Sequence, residues 1–567
     1  ERPELAETCG AAGITFVGPS AATLEICGDK LATREAAVRA GVPVLPASEP
    51  IGDTPESWIA AGRMIGYPLL VKPAEAGGGR GLRFVVDESG LVEAIQASRR
   101  ESASSGAGAI IYLERAMIEP RHVEVQVAAD SNGVLVVGDR DCSLQRRHQK
   151  VIEEAPAPNI DGDTRAALHE SARRVAIEVG LRGIATCEFL LGANGDLAFL
   201  EVNPRIQVEH PVTELVTGID LVAWQLLIAS GQELPIRSTP PPRGHAVEAR
   251  VYAEDPFAGF MPTVGKLATV SWPTGPGIRV DAGYASGDTI PTAYDAMLAK
   301  VCAVGSDRTS ALMTLRNALT DTMIAGVRTN VPWLLNLLAD EAVKSGRATT
   351  ATVAAITPTM PERSIAPVAA VAYLLERSAS GSSDAWSAIG PWRMFGPAMI
   401  TVHGEDWEEQ IAACRSHLGW EARFGPVQIP VRWWTAPDGI ITLSSPDTVM
   451  KVAVVDRDGA LEIFGNGGRW LVQIGPRPTV TTTRQRRPGN GSVRSPLPAT
   501  VLGVHVAAGD HVSHGQPLVT LSAMKMELVC DAPADGVVER ITCRVGELVD
   551  ADQELVRLRL ANSETQS

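Results

Sequence analysis

The sequence predicts a multidomain chain: an α/β or α+β catalytic unit, then a small antiparallel β domain, then an all-β terminal domain. Three observations predict it. Short β-rich runs alternate with helical stretches up to about residue 235, a tryptophan-rich segment broken by Asp-Gly and Asn-Gly pairs comes later, and the carboxyl-terminal region repeats itself.

At 567 residues the chain exceeds what one core organises, so three or four domains are expected. The 45% apolar content supports folded domains, and a formal net charge of −15 lacks the basic footprint of a nucleic-acid binder. No apolar run is long enough to span a bilayer; Val368 to Leu375 reads as a buried helix. No signal pattern opens the chain, and the eight cysteines form no CxxC or zinc spacing, so reduced thiols in a cytoplasmic compartment are expected. Glu1 to Gly10 reads as a helix and Ile14 to Gly18 as a strand. This looks like a fold entered partway, and an amino-terminal segment is expected to precede it.

In the first region, Pro68–Lys72, Val123–Val127 and Leu197–Glu201 read as strands and Thr164–Val179 as a helix. Arg308 to Leu338 has apolar positions at helical spacing, and the catalytic unit is expected to run to about residue 360. Pro367 could open the apolar helix that ends at Leu375, and Ser378 to Ser383 is a flexible connector. Seven of the eleven tryptophans then fall between Trp386 and Trp470, where Asp438-Gly439, Asp458-Gly459 and Asn466-Gly467 separate β-branched runs in hairpin fashion.

Thr481 to Arg494 is polar and Gly/Pro-containing, and reads as a linker. Fully extended it reaches about 45 Å, and as a flexible coil about 20 Å. Beyond it, Pro498–Val501, Gly509-Asp510-x-Val512 and Pro517–Leu521 recur as Pro533–Val537, Gly546-Glu547-x-Val549 and Glu554–Leu558, at offsets of 35 to 37 residues. Two equivalent β units flank Ala523-Met524-Lys525-Met526, which belongs at a hairpin tip.

That tetrapeptide resembles the biotinylation motif of biotin carrier domains, with Lys525 as the attachment site; a lipoyl carrier shares the fold but usually lacks the methionine pair. A lysine suits the task, since its ammonium on a four-carbon stem can become an amide that lengthens the arm. Upstream, Gly77, Gly78, Gly79 and Gly81 surround Arg80 after the strand ending at Lys72, a loop whose N–H groups could close over phosphates. Together with Asp141–Lys150, Glu153–Pro158, Glu188 and Glu201–Glu214, it resembles the biotin carboxylase family of ATP-grasp enzymes over about residues 1 to 345.

The resemblance implies a site. Lys30, Lys72, His122 and Lys150 would contact ATP phosphates or ribose, and Glu114, Met117, Gln145 and His148 would line the adenine and ribose pocket. Glu188, Glu201 and Asn203 would hold Mg²⁺ (or Mn²⁺) through hard oxygen donors. Arg205, a guanidinium able to donate two parallel hydrogen bonds, would receive bicarbonate with Gln207 and the backbone of Val208. Glu209 would take the bicarbonate proton, and Arg250 would stabilise the biotin enolate. Pro73 to Ala76 stands where the family often has more glycines, which implies a stiffer lid.

The implied layout is a remnant of an amino-terminal carboxylase domain (1–44), an ATP-grasp lid (45–117), the ATP-grasp core and carboxyl-terminal carboxylase domain (118–360), a helix wrapped by an antiparallel barrel that binds a partner (362–478), a linker (479–493) and a biotinyl carrier (494–560). No transferase domain follows, so the implied partners are a carboxyltransferase beta subunit, in a hetero-oligomer, and a biotin protein ligase. 3-Methylcrotonyl-CoA is slightly favoured over propionyl-CoA or acetyl-CoA. A non-catalytic biotinylated scaffold and an ATP-grasp ligase with an amine acceptor stand as alternatives; the presence of Lys72, Arg205 and Glu209 weighs against the first, and the attached carrier against the second.

Overall fold

The computed structural model describes residues 2–560 except 75–80, 105–109, 293, 364, 381–395, 405, 417–418, 426–427, 438, 458, 476–490 and 524–525. Its centre is an eight-stranded sheet in the order Ile278–Ala282, Met297–Gly305, His245–Tyr252, Gln149–Ala155, Gly133–Arg146, Arg121–Asp130, Gly183–Leu191, Leu197–Asn203. Every neighbouring pair in it is antiparallel. The α+β alternative therefore holds for the catalytic unit.

Side chains alternate across a strand, and this sheet uses the alternation to separate two environments. In Arg121–Asp130, Val123, Val125 and Val127 face Leu168, Ala172 and Val175 of the helix Gly162–Glu178. The residues between them, Glu124 and Gln126, are fully buried on the opposite face. A smaller sheet, Arg83–Val85, Leu69–Pro73 and Ile111–Arg115, packs with the helices Pro55–Ile65 and Leu91–Ser104 over a separate core around Trp58, Leu69 and Ile95.

The segment Ala398 to Ile474 closes into an eight-stranded barrel, each strand antiparallel to the next. Asn466 and Gly467 take positive φ (47° and 75°) between the paired Gly465 and Gly468, the left-handed turn a two-residue hairpin requires. The barrel is filled by the helix Ala366–Ser380, whose Ala366, Val368, Ala369, Ala370, Val371 and Ala372 are all buried. A helix apolar on every side belongs inside a core, and the alanines keep this one thin enough for the barrel. Trp386, Trp392, Asp438 and Asp458 lie outside the described residues.

The terminal domain has two four-stranded sheets, Ser492–Arg494, Glu554–Leu560, Gly536–Ile541, His511–Val512 and Met526–Asp531, Pro517–Ala523, Ala499–Val504, Leu548–Val549. Each half of the repeat contributes its short strand to the other half's sheet. Ala523 pairs with Met526; Met524 and Lys525 between them lie outside the described residues.

Three local readings are corrected. Ile14 to Gly18 is not a strand: the segment makes no ladder, and Ile14 and Val17 are 61% and 41% exposed, with no neighbouring strand to take their backbone hydrogen bonds. Arg308 to Leu338 is not continuous helix, because Met323–Ala325 breaks out to pair with Thr269–Ser271 and to pack against Ala453 and Phe464 of the barrel. Ser492–Arg494 is not linker but a strand paired with Glu554–Leu560. No single helix among the described residues is long and apolar enough to cross a membrane; the apolar pair His210–Thr217 and Leu221–Ala229 bends by 99°.

Candidate functional site

The polar face of the central sheet carries a continuous network of buried charge. Lys150 enters it from the strand Gln149–Ala155 and donates to three carboxylates, Glu124 Oε2 at 2.5 Å, Glu209 Oε1 at 2.6 Å and Glu188 Oε1 at 2.9 Å. Burial alone would depress this ammonium, but the three carboxylates hold it well above the ordinary lysine range. Arg140 occupies the wall behind, fully buried, with Nε donating to Glu124 Oε1 at 2.5 Å and other donors meeting Gln126, Thr186, Thr213 and Gln207.

Glu209 stands at the entrance of the helix His210–Thr217, an N-cap position, yet its side chain caps nothing. Its oxygens turn instead to Lys150 and to Arg250 Nη2, the latter at 3.1 Å. Burial opposes the charge of Glu209, but Lys150, Arg250 and Arg140 overcome it and hold the carboxyl well below its usual range. The sequence has sacrificed a helix cap worth about 1 kcal/mol to aim an ionised carboxylate into the site.

The expected cation ligands come together through the sheet register. Glu188 and Glu201 are directly opposite, and the Asn203 amide donates to one oxygen of each, at 3.0 and 3.1 Å. Burial, then the charge of Glu188, push the Glu201 carboxyl up. Two carboxylates held side by side offer the hard oxygen donors that suit a divalent cation. Two other donor clusters, His122 with Glu124 and Glu188, and Glu124 with Cys142 and Glu209, are tight enough to hold a metal. Both include Glu124, whose two oxygens are bound by Arg140 and Lys150, and Glu188 is likewise engaged by Lys150 and His122.

The expected nucleotide residues surround this centre. Lys72 and Glu114 form a buried ion pair, and although burial alone would lower the lysine, Glu114 keeps it charged. Lys30, at the start of the helix Lys30–Arg39, is lowered by burial, partly offset by Glu201 and reinforced by Lys72. Gln145 lies 2.7 Å from His122 Nδ1, and His122 Nε2 lies 2.8 Å from Glu188 Oε2. His148 takes a positive φ of 63° in the turn between two paired strands. Burial, followed by Lys72 and His122, lowers it. Met117 reaches the neighbourhood of Gly192. Gly81 has φ 70° and its carbonyl accepts from Ser98 at 2.7 Å; Gly77, Gly78 and Gly79 lie outside the described residues.

The residues expected to receive bicarbonate are only partly assembled. Gln207 is buried and donates to Glu188 at 2.9 Å, and the Val208 carbonyl accepts from Lys300 at 2.8 Å. Arg205 is exposed and donates to Asn203 Oδ1 and the Ile206 carbonyl, both at 3.3 Å. Sequence reading missed Glu124, Arg140 and Lys300. A signal existed for the first: Val-Glu-Val-Gln-Val alternates polar and apolar residues in a strand that proves central, which marks its polar face as a site.

Set beside known proteins, residues 29–237 match the carbamoyl-phosphate synthase L chain ATP-binding domain, 248–355 the biotin carboxylase C-terminal domain and 491–558 the biotin-requiring enzyme domain. The chain is 34% identical to the mitochondrial methylcrotonoyl-CoA carboxylase subunit alpha of Dictyostelium discoideum, over 98% of this chain and 83% of that protein. It is 32% identical to the propionyl-CoA carboxylase alpha chain of Ruegeria pomeroyi, over 98% and 87%. Among solved structures it resembles the biotin carboxylase domain of Hydrogenobacter thermophilus 2-oxoglutarate carboxylase in complex with MgADP, ADP and bicarbonate (TM-score 0.60, 37% identity, covering 62% of this chain and 78% of that one). ATP and magnesium at the carboxylase site and biotin on the carrier are thus the substrate and cofactors, and this chain belongs to the family of biotin-dependent acyl-CoA carboxylase alpha subunits, an ATP-dependent biotin carboxylase joined to a biotin-requiring carrier domain.

Proposed function

We propose that the chain uses ATP and bicarbonate to carboxylate biotin on its own Lys525, and supplies the carboxyl group to a separate carboxyltransferase beta subunit that acts on 3-methylcrotonyl-CoA. The observation that carries the chemistry is Glu209, an ionised carboxylate diverted from helix capping and clasped between Lys150 and Arg250. Lys30, Lys72, His122 and Lys150 bind phosphates or ribose, with Glu114, Met117, Gln145 and His148 around the base and sugar and Gly77, Gly78, Gly79 and Gly81 as further phosphate contacts. Glu188, Glu201 and Asn203 would hold the magnesium, which would supply charge neutralisation for the phosphates. Arg205 swings from Asn203 to bicarbonate, beside Gln207 and Val208.

While Lys150 sits on Glu209 the carboxylate is a poor base. Once the ammonium turns to a phosphate, Glu209 regains basicity and takes the bicarbonate proton, so that the bicarbonate oxygen attacks the γ-phosphorus and ADP leaves. Carboxyphosphate then yields CO₂ and phosphate. That phosphate takes the proton of the biotin ureido nitrogen, the nitrogen attacks CO₂ to form the N–C bond, and Arg250 holds the ureido oxygen while it carries the enolate charge.

Methylcrotonyl-CoA is favoured by the Dictyostelium relative, and the Ruegeria relative supports propionyl-CoA as a second reading. The apolar-filled barrel with its exposed Trp434, Met399 and Val449 is the proposed dock for the transferase. The test is intact mass and carboxylation by the full chain, biotinylated by a biotin protein ligase and reconstituted with its transferase. One biotin should map to Lys525. Lys525→Arg should abolish acyl-CoA carboxylation yet keep bicarbonate-dependent ATP cleavage with free biotin, and the preferred acyl-CoA should be methylcrotonyl-CoA. Biotin on another residue, or full activity of Lys525→Arg, overturns the carrier assignment.

A further inference from the structure

Behind Arg250 lies a carboxylate that the mechanism above does not use. Glu248 and Glu153 stand directly opposite one another on adjacent antiparallel strands, and both are 0% exposed. Opposed residues place their side chains on one face with Cβ atoms about 4.5–5.5 Å apart. Glu153 gives Oε1 to Arg250, which donates from Nε at 2.6 Å and approaches with Nη2 at 2.5 Å. Glu248 accepts the Cys302 thiol on Oε2 at 3.3 Å. The remaining oxygen of each, Glu153 Oε2 and Glu248 Oε1, is buried without a hydrogen-bond partner.

An isolated buried carboxylate costs several kcal/mol, so two neighbouring ones facing a single guanidinium cannot both be ionised. A proton placed between the two orphan oxygens removes one charge and satisfies both atoms. We infer that Glu153 and Glu248 share one proton, with Glu248 as the carboxylic acid that donates to Glu153 and thereby keeps Glu153 a single anionic anchor for Arg250. Glu248 is then a positioning residue acting through Glu153, and the inference rests on Arg250 serving the biotin side of the reaction.

The surroundings agree. Arg250 lies two residues along the strand of Glu248, Lys150 precedes Glu153, Glu209 and His210 face them from the start of the helix His210–Thr217, with Glu214 further along it, and Lys300 comes from the strand Met297–Gly305. Lys300 is committed to the Val208 carbonyl at 2.8 Å and Asp281 at 3.3 Å, and Arg250 and Glu209 bind each other. Burial, then the charge of Glu153, push the Glu248 carboxyl well above its ordinary range. Burial raises Glu153 less, to about 7, because Arg250 opposes it. Of the two, Glu248 is the stronger holder of the proton.

The test uses the biotinylated full chain. Its infrared spectrum at pH 8 should contain the C=O stretch of a protonated buried carboxyl, and Glu248→Gln, which keeps a donor toward Glu153, should remove that band while leaving the biotin-dependent rate and its pH profile within about twofold. Glu248→Leu should lower the biotin-dependent kcat about tenfold at unchanged KM for ATP, the effect of one buried acceptor left unsatisfied. The inference is overturned by a spectrum without the band, by a band that survives Glu248→Gln, or by a Glu248→Gln enzyme as slow as Glu248→Leu. Should Glu248→Leu not fold, the spectrum and Glu248→Gln decide. Because the band needs no turnover, its presence in an enzyme that fails to carboxylate biotin would overturn the reading of Arg250 and leave the shared proton standing.

Discussion

The central sheet of the carboxylase and the barrel that follows it have eight antiparallel strands each, and they spend those strands in opposite ways. The barrel closes on itself around a helix that buries alanine, valine and leucine. The sheet stays open and buries Glu124, Arg140, Glu153 and Glu248 at 0% exposure on one face. Burial of apolar surface is favourable wherever it occurs, whereas each buried charge must be matched by partners at hydrogen-bond distance. The barrel's interior thus tolerates redesign so long as volume is kept, and the sheet's polar face does not. One assembly is built for stability, the other holds a reactive arrangement at the expense of stability.

Breaking a charge pair should show the contrast most strongly. Arg140→Met leaves Glu124 buried with Lys150 alone, and should destabilise the carboxylase by about 3–5 kcal/mol, read by denaturant unfolding. Adding Glu124→Gln should recover part of that loss, because the cost lies in the unpaired charge; a double variant no more stable than the single would locate the cost in packing.

Glu209→Gln comes next. It should lower bicarbonate-dependent ATP cleavage by at least about 10²-fold while Lys525 is still biotinylated, measured by phosphate release and by mass. Near-normal cleavage would assign the proton transfer to another group. In the barrel, Ile463 is fully buried, and Ile463→Val should cost only about 0.5–1.5 kcal/mol, with ATP cleavage unchanged.

A further effect is electrostatic and lies in the carrier. Glu554 accepts from Ser492 at 2.6 Å and Arg540 at 2.8 Å, and Arg557 lies 2.5 Å away. Burial opposes its charge, but these donors depress its carboxyl to about 2. A depressed carboxyl contributes stability that is present above its unfolded value, about 4.3, and is lost as pH falls through the folded one. Thermal unfolding of the carrier should therefore shift down between about pH 4.3 and 2, and Glu554→Gln should flatten that slope; an unchanged slope would assign the acid sensitivity to other groups.

Much of this was legible from residue order. Hairpin chemistry at Asn466-Gly467 marked a turn whose geometry depends on two residues alone, and the carrier's repeat is a local pattern read twice. The Glu188, Glu201 and Asn203 cluster was legible through resemblance, and the sheet register assembles it. Glu248 could not be singled out, because its significance depends on facing Glu153 from a strand about 95 residues away in the chain, a tertiary fact. Arg308 to Leu338 misled for the same reason: Met323–Ala325 has apolar residues compatible with a helix, and a distant strand, Thr269–Ser271, converts them to sheet. Arg205 carries its expected identity but not yet its expected position, since its donors are engaged beside Asn203.

The exchange of short strands between the two halves of the carrier has a consequence for how that domain comes into being. His511–Val512 completes the sheet of the second half and Leu548–Val549 that of the first, so neither half can bury its core alone. During synthesis the first half emerges with an incomplete sheet and must wait for the second. The lysine between them therefore meets a finished fold only when the whole domain has left the ribosome. An enzyme that attached biotin only to the folded domain would in this way read out complete translation, modifying finished chains and passing over truncated ones.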